Sequence, residues 1–95
     1  MAIAFLFEIP GVSVQDGERI LQELGLTNQP PAGQILHIEG PMDGGGLRVV
    51  DVWESQEAFE RFAQEQLMPA AQRAGVQFPP DFAPTAVWQV TQMLK

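Results

Sequence analysis

One histidine, His37, lies in the segment ILHIEG, and one aspartate, Asp51, is embedded in the apolar run LRVVDVW. An imidazole held in a single tautomer by a carboxylate is a general base suited to a phenolic or enolic proton. Both segments read as strands, whose side chains alternate between two faces, so Ile35 and Glu39 share the face of His37. With the hairpin between them centred near Asp43, His37 stands opposite Val49 and diagonal to Asp51, within reach of a hydrogen bond. A slip of one residue would send the two to opposite faces. Asp51 needs an explanation in any case. A carboxylate among Val49, Val50, Val52 and Trp53 is costly to bury alone, so it pairs, opens onto a wet pocket or faces solvent. The competing reading of His37 is structural, a ring satisfied by a neighbour inside a half-buried sheet.

Other chemistries find little support. Nucleophilic catalysis lacks a cysteine and a serine beside the histidine. A metal site lacks ligands, with one histidine and no thiolate, so no metal or other cofactor is expected. The glycines at 44, 45 and 46 precede no lysine and open onto a strand rather than a helix, which makes them a hairpin tip and not a phosphate loop. Five Lys and Arg against twelve Asp and Glu give a formal net charge of -7. The basic residues stand singly, so nucleic acid and anionic membrane are disfavoured partners. The apolar N-terminus has no basic region before it and no small-residue cleavage site. It reads as a strand, and the expected location is the cytoplasm.

The elements that hold these residues follow from pattern. AIAFLFEI, residues 2–9, is a first strand closed by Pro10-Gly11. Val14, Ile20, Leu21 and Leu24 recur at helical spacing from Val12 to Leu24, with Ser13 to cap and Gly25 to stop. Gly17 inside that helix costs about 1 kcal/mol against alanine. Residues 27–33 carry turn chemistry and lead to a second strand over 34–39. A third strand covers 47–53. Ser55 caps a second helix whose buried stripe is Phe59, Phe62, Ala63, Leu67 and Ala70. Pro69 predicts a kink near Met68 before the stop at Gly75. Residues 76–84 are too rich in proline for a helix and cross the surface in extended form, and a last strand runs over 85–93. The order is βαββαβ, an α+β, ferredoxin-like domain with an antiparallel sheet and both helices on one face, spanning 1–95.

Burial then sets the oligomer. The third strand is apolar on both faces, and so is the first, with Ile3, Phe5, Phe7 and Ile9 opposite Ala4 and Leu6. A chain of 95 residues buries only about 60 to 65 percent of its unfolded surface, and no disulfide is available to help. The expectation is a homodimer formed through the face that the helices leave open.

The run DVWESQEAFERF, residues 51–62, with a strand before it and a proline-containing helix after it, resembles the antibiotic-biosynthesis monooxygenase-like group of the dimeric α+β barrel superfamily, most closely its small actinobacterial-type members. The similarity of layout covers nearly the whole chain, and the motif match covers about 33–75. The resemblance implies a dimeric α+β barrel and makes Trp53 a pocket residue between sheet and helices, with Phe59 and Phe62 as further walls; by default all three fill core. The asparagine that accompanies this tryptophan in some of those monooxygenases is Val49 here. The heme-degrading relatives use a histidine on the second helix, and this helix has none. The superfamily spans several reactions and proteins without known activity. The expected function is a cofactor-independent, monooxygenase-like enzyme for a small aromatic or enolic compound. The alternative is a dimer that binds a small ligand, or a protein partner, without catalysis.

Overall fold

The computed structural model describes residues 1–26 and 30–94. The expected turn at Thr27, Asn28 and Gln29 therefore lies outside the described residues. Strand β1 (Ile3–Ile9) ends at Pro10 and Gly11, as the apolar run does. Helix α1 (Val14–Leu24) starts at Ser13, whose hydroxyl accepts from the Asp16 amide while the Asp16 carboxylate accepts from the Ser13 amide. This reciprocal cap satisfies two of the donors that a helix start leaves free. The Ser13 backbone hydrogen bond is the main reason that the Asp16 pKa lies below its usual value. Gly25, in the left-handed conformation at φ 72°, closes the helix.

Strands β2 (Gln34–Pro41) and β3 (Leu47–Trp53) form a hairpin. Gly44, Gly45 and Gly46 all take positive φ, from 82° to 108°, a backbone that residues with a Cβ rarely adopt. That loop moves the pairing by two residues from the expected register, and His37 sits directly opposite Asp51, while Val49 faces Glu39. A shift of two keeps every side chain on its face. A bulge between Gln34 and Leu36 adds one residue, Ile35, to the outer strand.

Helix α2 (Gln56–Phe62), capped by Ser55, runs through a π-helical turn at Ala63–Leu67 into helix α3 (Met68–Ala74). The expected disturbance near Met68 thus takes the form of a π-bulge rather than a break. Pro69 donates no amide hydrogen bond, and the Met68 amide reaches back to the Ala63 carbonyl. Strand β4 (Ala86–Gln89) is shorter than the expected 85–93.

The sheet order is β2-β3-β1-β4 with every neighbour antiparallel, the ferredoxin-like arrangement. Phe5, Phe7, Ile9, Leu47, Val49 and Trp53 point from the sheet to the helices and pack on Val12, Ile20, Phe62, Ala70 and Ala71. The opposite face carries Leu36, Val52, Ala4 and Trp88 in one row and Ile38, Val50 and Leu6 in the next. Leu36, Ile38 and Trp88 are 40%, 55% and 47% exposed in the protomer.

Candidate active site

On the helix-facing side, one row of the sheet reads His37, Asp51, Phe5 and Val87 from edge to edge. Asp51 is the only buried charged residue among those described. Its Oδ1 lies 2.6 Å from His37 Nδ1, and its Oδ2 accepts from Trp53 Nε1 at 3.3 Å. The second ring nitrogen of His37, Nε2, lies 3.0 Å from Glu39 Oε2. Two strands therefore present a chain of groups, Trp53, Asp51, His37 and Glu39, each polar link supplied by residues two apart on one strand or opposite across the ladder.

Two carboxylates on one imidazole favour its protonated form. The His37 pKa is raised to about 9, chiefly by the hydrogen bond to Asp51 and then by that to Glu39, against the opposing effect of burial. At neutral pH the ring is an imidazolium with both nitrogens donating. In that form His37 has no lone pair to accept a proton.

Beside the cluster lies a cavity of about 410 Å³. The bulged edge strand forms one wall with Ile35, His37 and Glu39, α1 forms another with Ile20, Leu21 and Leu24, and Phe59, Phe62 and Leu67 close the far side. Phe59 and Phe62 line the cavity, whereas Trp53 is fully enclosed, 0% exposed, and is absent from the cavity lining. Its indole packs against Phe59 and Phe62 with ring centroids 5.8 and 5.1 Å away, so it supports the wall and Asp51 from behind.

Two groups of cavity residues have no counterpart in the sequence reading. Phe78 and Phe82 come from the proline-rich segment that was expected to cross the surface. They stack on each other at 4.8 Å, Phe82 stacks on Phe7 at 5.3 Å, and both line the cavity. No periodicity marks them, and the only signal is two aromatics among prolines. Glu39 was placed on the face of His37 without a role, and its spacing of two along the strand was the signal. Among the described residues, no group of three or more His, Cys, Asp or Glu side chains is disposed to hold a metal ion. None of the described helices is long and apolar enough to cross a membrane.

The fold also occurs in a solved structure. The chain shares its fold with a cofactor-independent oxygenase. The crystal structure is that of SnoaB from Streptomyces nogalater, in a variant with an asparagine replaced by alanine; it matches with a TM-score of 0.53 and 18% identity over 98% of this chain and 94% of that one. At that identity the likeness establishes the fold. No family model matches the chain, and no curated protein matches its sequence.

Proposed function

We propose that this protein is a cofactor-independent, monooxygenase-like enzyme acting on a small aromatic or enolic compound held in the cavity between sheet and helices. The observation that carries the reading is the cavity itself: largely apolar and aromatic walls with one cluster of titratable groups, the His37 and Asp51 pair with Glu39. A volume of about 410 Å³ falls in the range that binds small molecules. The shared fold with a cofactor-independent oxygenase supports the same class.

The chemistry fits the residues. An enol or phenol that presents its hydroxyl to the cluster meets the His37 imidazolium between two carboxylates, and once a carboxylate has taken the substrate's proton the cation beside it favours the substrate anion. An electron-rich anion of this kind reacts with dioxygen directly. For an anthrone, one oxygen atom enters the CH₂ carbon as a ketone and the other leaves as water, and the substrate supplies all the electrons. His37 and Asp51 act here as the charged pair that stabilises the anion, and Phe59 and Phe62 as walls. Oxygen uptake with a panel of anthrones and quinols tests the proposal. Uptake by the native protein and its loss in His37→Ala are expected, and undiminished turnover in that variant takes the cluster out of the mechanism.

One observation favours a second reading, a binding module without catalysis. Both ring nitrogens of His37 are already satisfied within the chain, as in a purely structural cluster. Calorimetry with recovery of the ligand separates the two: saturable binding with the ligand returned unchanged in air supports the module.

Either role is proposed for a homodimer joined through the open face of the sheet. Charge argues for a second copy as the occupant. A chain of net charge -7 repels its own kind except where charge is balanced, and the only ion pair among the described residues of this face, Arg48 with Glu8 at 2.9 Å, is neutral overall. The rest of the face is apolar and suits an isologous contact.

A further inference from the structure

Resting on the oxygenase reading, we infer that Glu39 is the catalytic residue that takes the substrate's proton, at Oε1, and that His37 serves as the fixed cation beside it. The assignment follows from which atoms are free. His37 faces a carboxylate at each ring nitrogen, and a neutral ring would turn a lone pair on one of them. Asp51 has both oxygens engaged, Oδ1 by His37 and Oδ2 by Trp53, in a buried position. Glu39 uses only Oε2. Its Oε1 has no hydrogen-bond partner among the described residues. The Glu39 side chain is partly exposed and lines the cavity.

Helix α1 is shaped around that oxygen. A Cβ added at Gly17 would lie 2.9 Å from Glu39 Oε1 and 3.2 Å from Leu47 Cδ2. The glycine that weakens the helix interior leaves room for the carboxylate, which gives its otherwise unfavourable placement a reason.

The step balances within the cluster. In an enol or phenol the substrate O–H bond breaks, and in an anthrone a C–H bond of the ring CH₂; an O–H bond forms at Glu39 Oε1, and the electron pair stays on the substrate, delocalised onto its oxygen. Neutral Glu39 is then a weaker acceptor, so His37 Nε2–H turns from Glu39 to the new anion. Net charge is unchanged, since the negative charge moves from Glu39 to the substrate beside a cation already in place. Enols and phenols fit this exchange, whereas a ligand without an acidic hydrogen gives Glu39 nothing to take.

The experiment uses the full chain with anthrone, first without oxygen and then in air. In the native protein, binding measured by calorimetry and the absorbance of the anthrolate anion are expected together. Glu39→Gln keeps the shape and a hydrogen-bonding amide but cannot act as the base. It is expected to bind anthrone, to form no anthrolate, and to lose roughly 100-fold or more in oxygen uptake. Gly17→Ala, which displaces the carboxylate without removing it, is expected to lower the anthrolate signal and serves if Glu39→Gln fails to fold. Native-level anthrolate and turnover in folded Glu39→Gln, or in a Gly17→Ala variant whose lowered His37 titration shows that the carboxylate has left the ring, overturns Glu39 as the base and leaves the oxygenase reading standing. A native protein that binds no anthrone and consumes no oxygen across the panel overturns both.

Discussion

Burial alone would make a histidine on this sheet harder to protonate, yet His37 is pushed the other way by its two carboxylates. The sign of its contribution to stability follows. A group whose pKa is about 9 in the folded chain and near its ordinary value of 6.5 when unfolded stabilises fully below pH 6.5, and the contribution fades as pH rises through 9. The expected loss between those limits is at most about 3 kcal/mol. Denaturant melts across that window should show it in the native protein and a flat profile in His37→Asn, and an NMR titration of the ring should give a midpoint well above 6.5. Trp53→Phe probes the other end of the chain of groups. It keeps most of the aromatic volume and removes the donor to Asp51 Oδ2, so a loss of about 1 to 3 kcal/mol is expected in chemical denaturation. Native stability in Trp53→Phe would mean that the long 3.3 Å contact contributes little. The pairing of His37 with Asp51 was legible because period-two alternation puts both on one face whether the register is 49 or 51. The part of Glu39 was not, since which carboxylate reaches the second nitrogen depends on the path of β2 past the bulge and the hairpin loop. Trp53 was placed on the wall by resemblance, and the alternation that pairs it with Gln34 and Ile3 carries no information on how far the wall stands in front of it.

Helix α1 shows how an element can give up stability for the site. Alanine at position 17 gains about 1 kcal/mol of helix propensity and loses a hydrogen bond to a charged group of about 1.5 to 3 kcal/mol if Glu39 must leave His37. Gly17→Ala is thus expected to be less stable by roughly 1 kcal/mol and to lower the His37 pKa towards 6.5. A more stable variant with an unshifted His37 would show that Glu39 and Leu47 yield without cost. The boundaries of α1 and β3 were readable from the sequence, because Ser13, Gly25 and the alternating run each carry a local stop or start. The helix after β3 was readable in its stripe and not in its backbone: Pro69 announces a lost hydrogen bond, and whether a kink or a π-turn absorbs it depends on what packs beneath. The segment over 76–84 was misjudged for a physical reason. Prolines suppress periodicity, so nothing local marks Phe78 and Phe82 for the cavity, and the stacking of Phe82 on Phe7 and of Phe78 on Phe82 is decided by the tertiary fold.

A sheet covered on one side only is the open problem of the whole molecule. Helices α1, α2 and α3 bury the row from Ile9 to Trp53, and the other side shows Leu36, Ile38 and Trp88 to solvent. Covering those three, with Leu6 and Val50 beside them, removes apolar area at about 25 cal/mol per Å², and a two-fold axis through the sheet lets each copy cover the other with the same residues. Ile38 is the place to test this, because at 55% exposed it contributes little to the protomer's own core. Ile38→Lys places a charge beside Val50 on the face proposed for the contact. Light scattering at micromolar concentration is expected to give twice 10.4 kDa for the native chain and 10.4 kDa for the variant. The circular dichroism of the variant should remain that of the folded protomer, with a lower melting temperature that no longer depends on concentration. A native chain that runs at the monomer mass with full stability would leave the open face without a partner. It would also leave the cavity untouched, because His37, Asp51, Glu39 and the walls around them all come from one chain on the opposite side of the sheet.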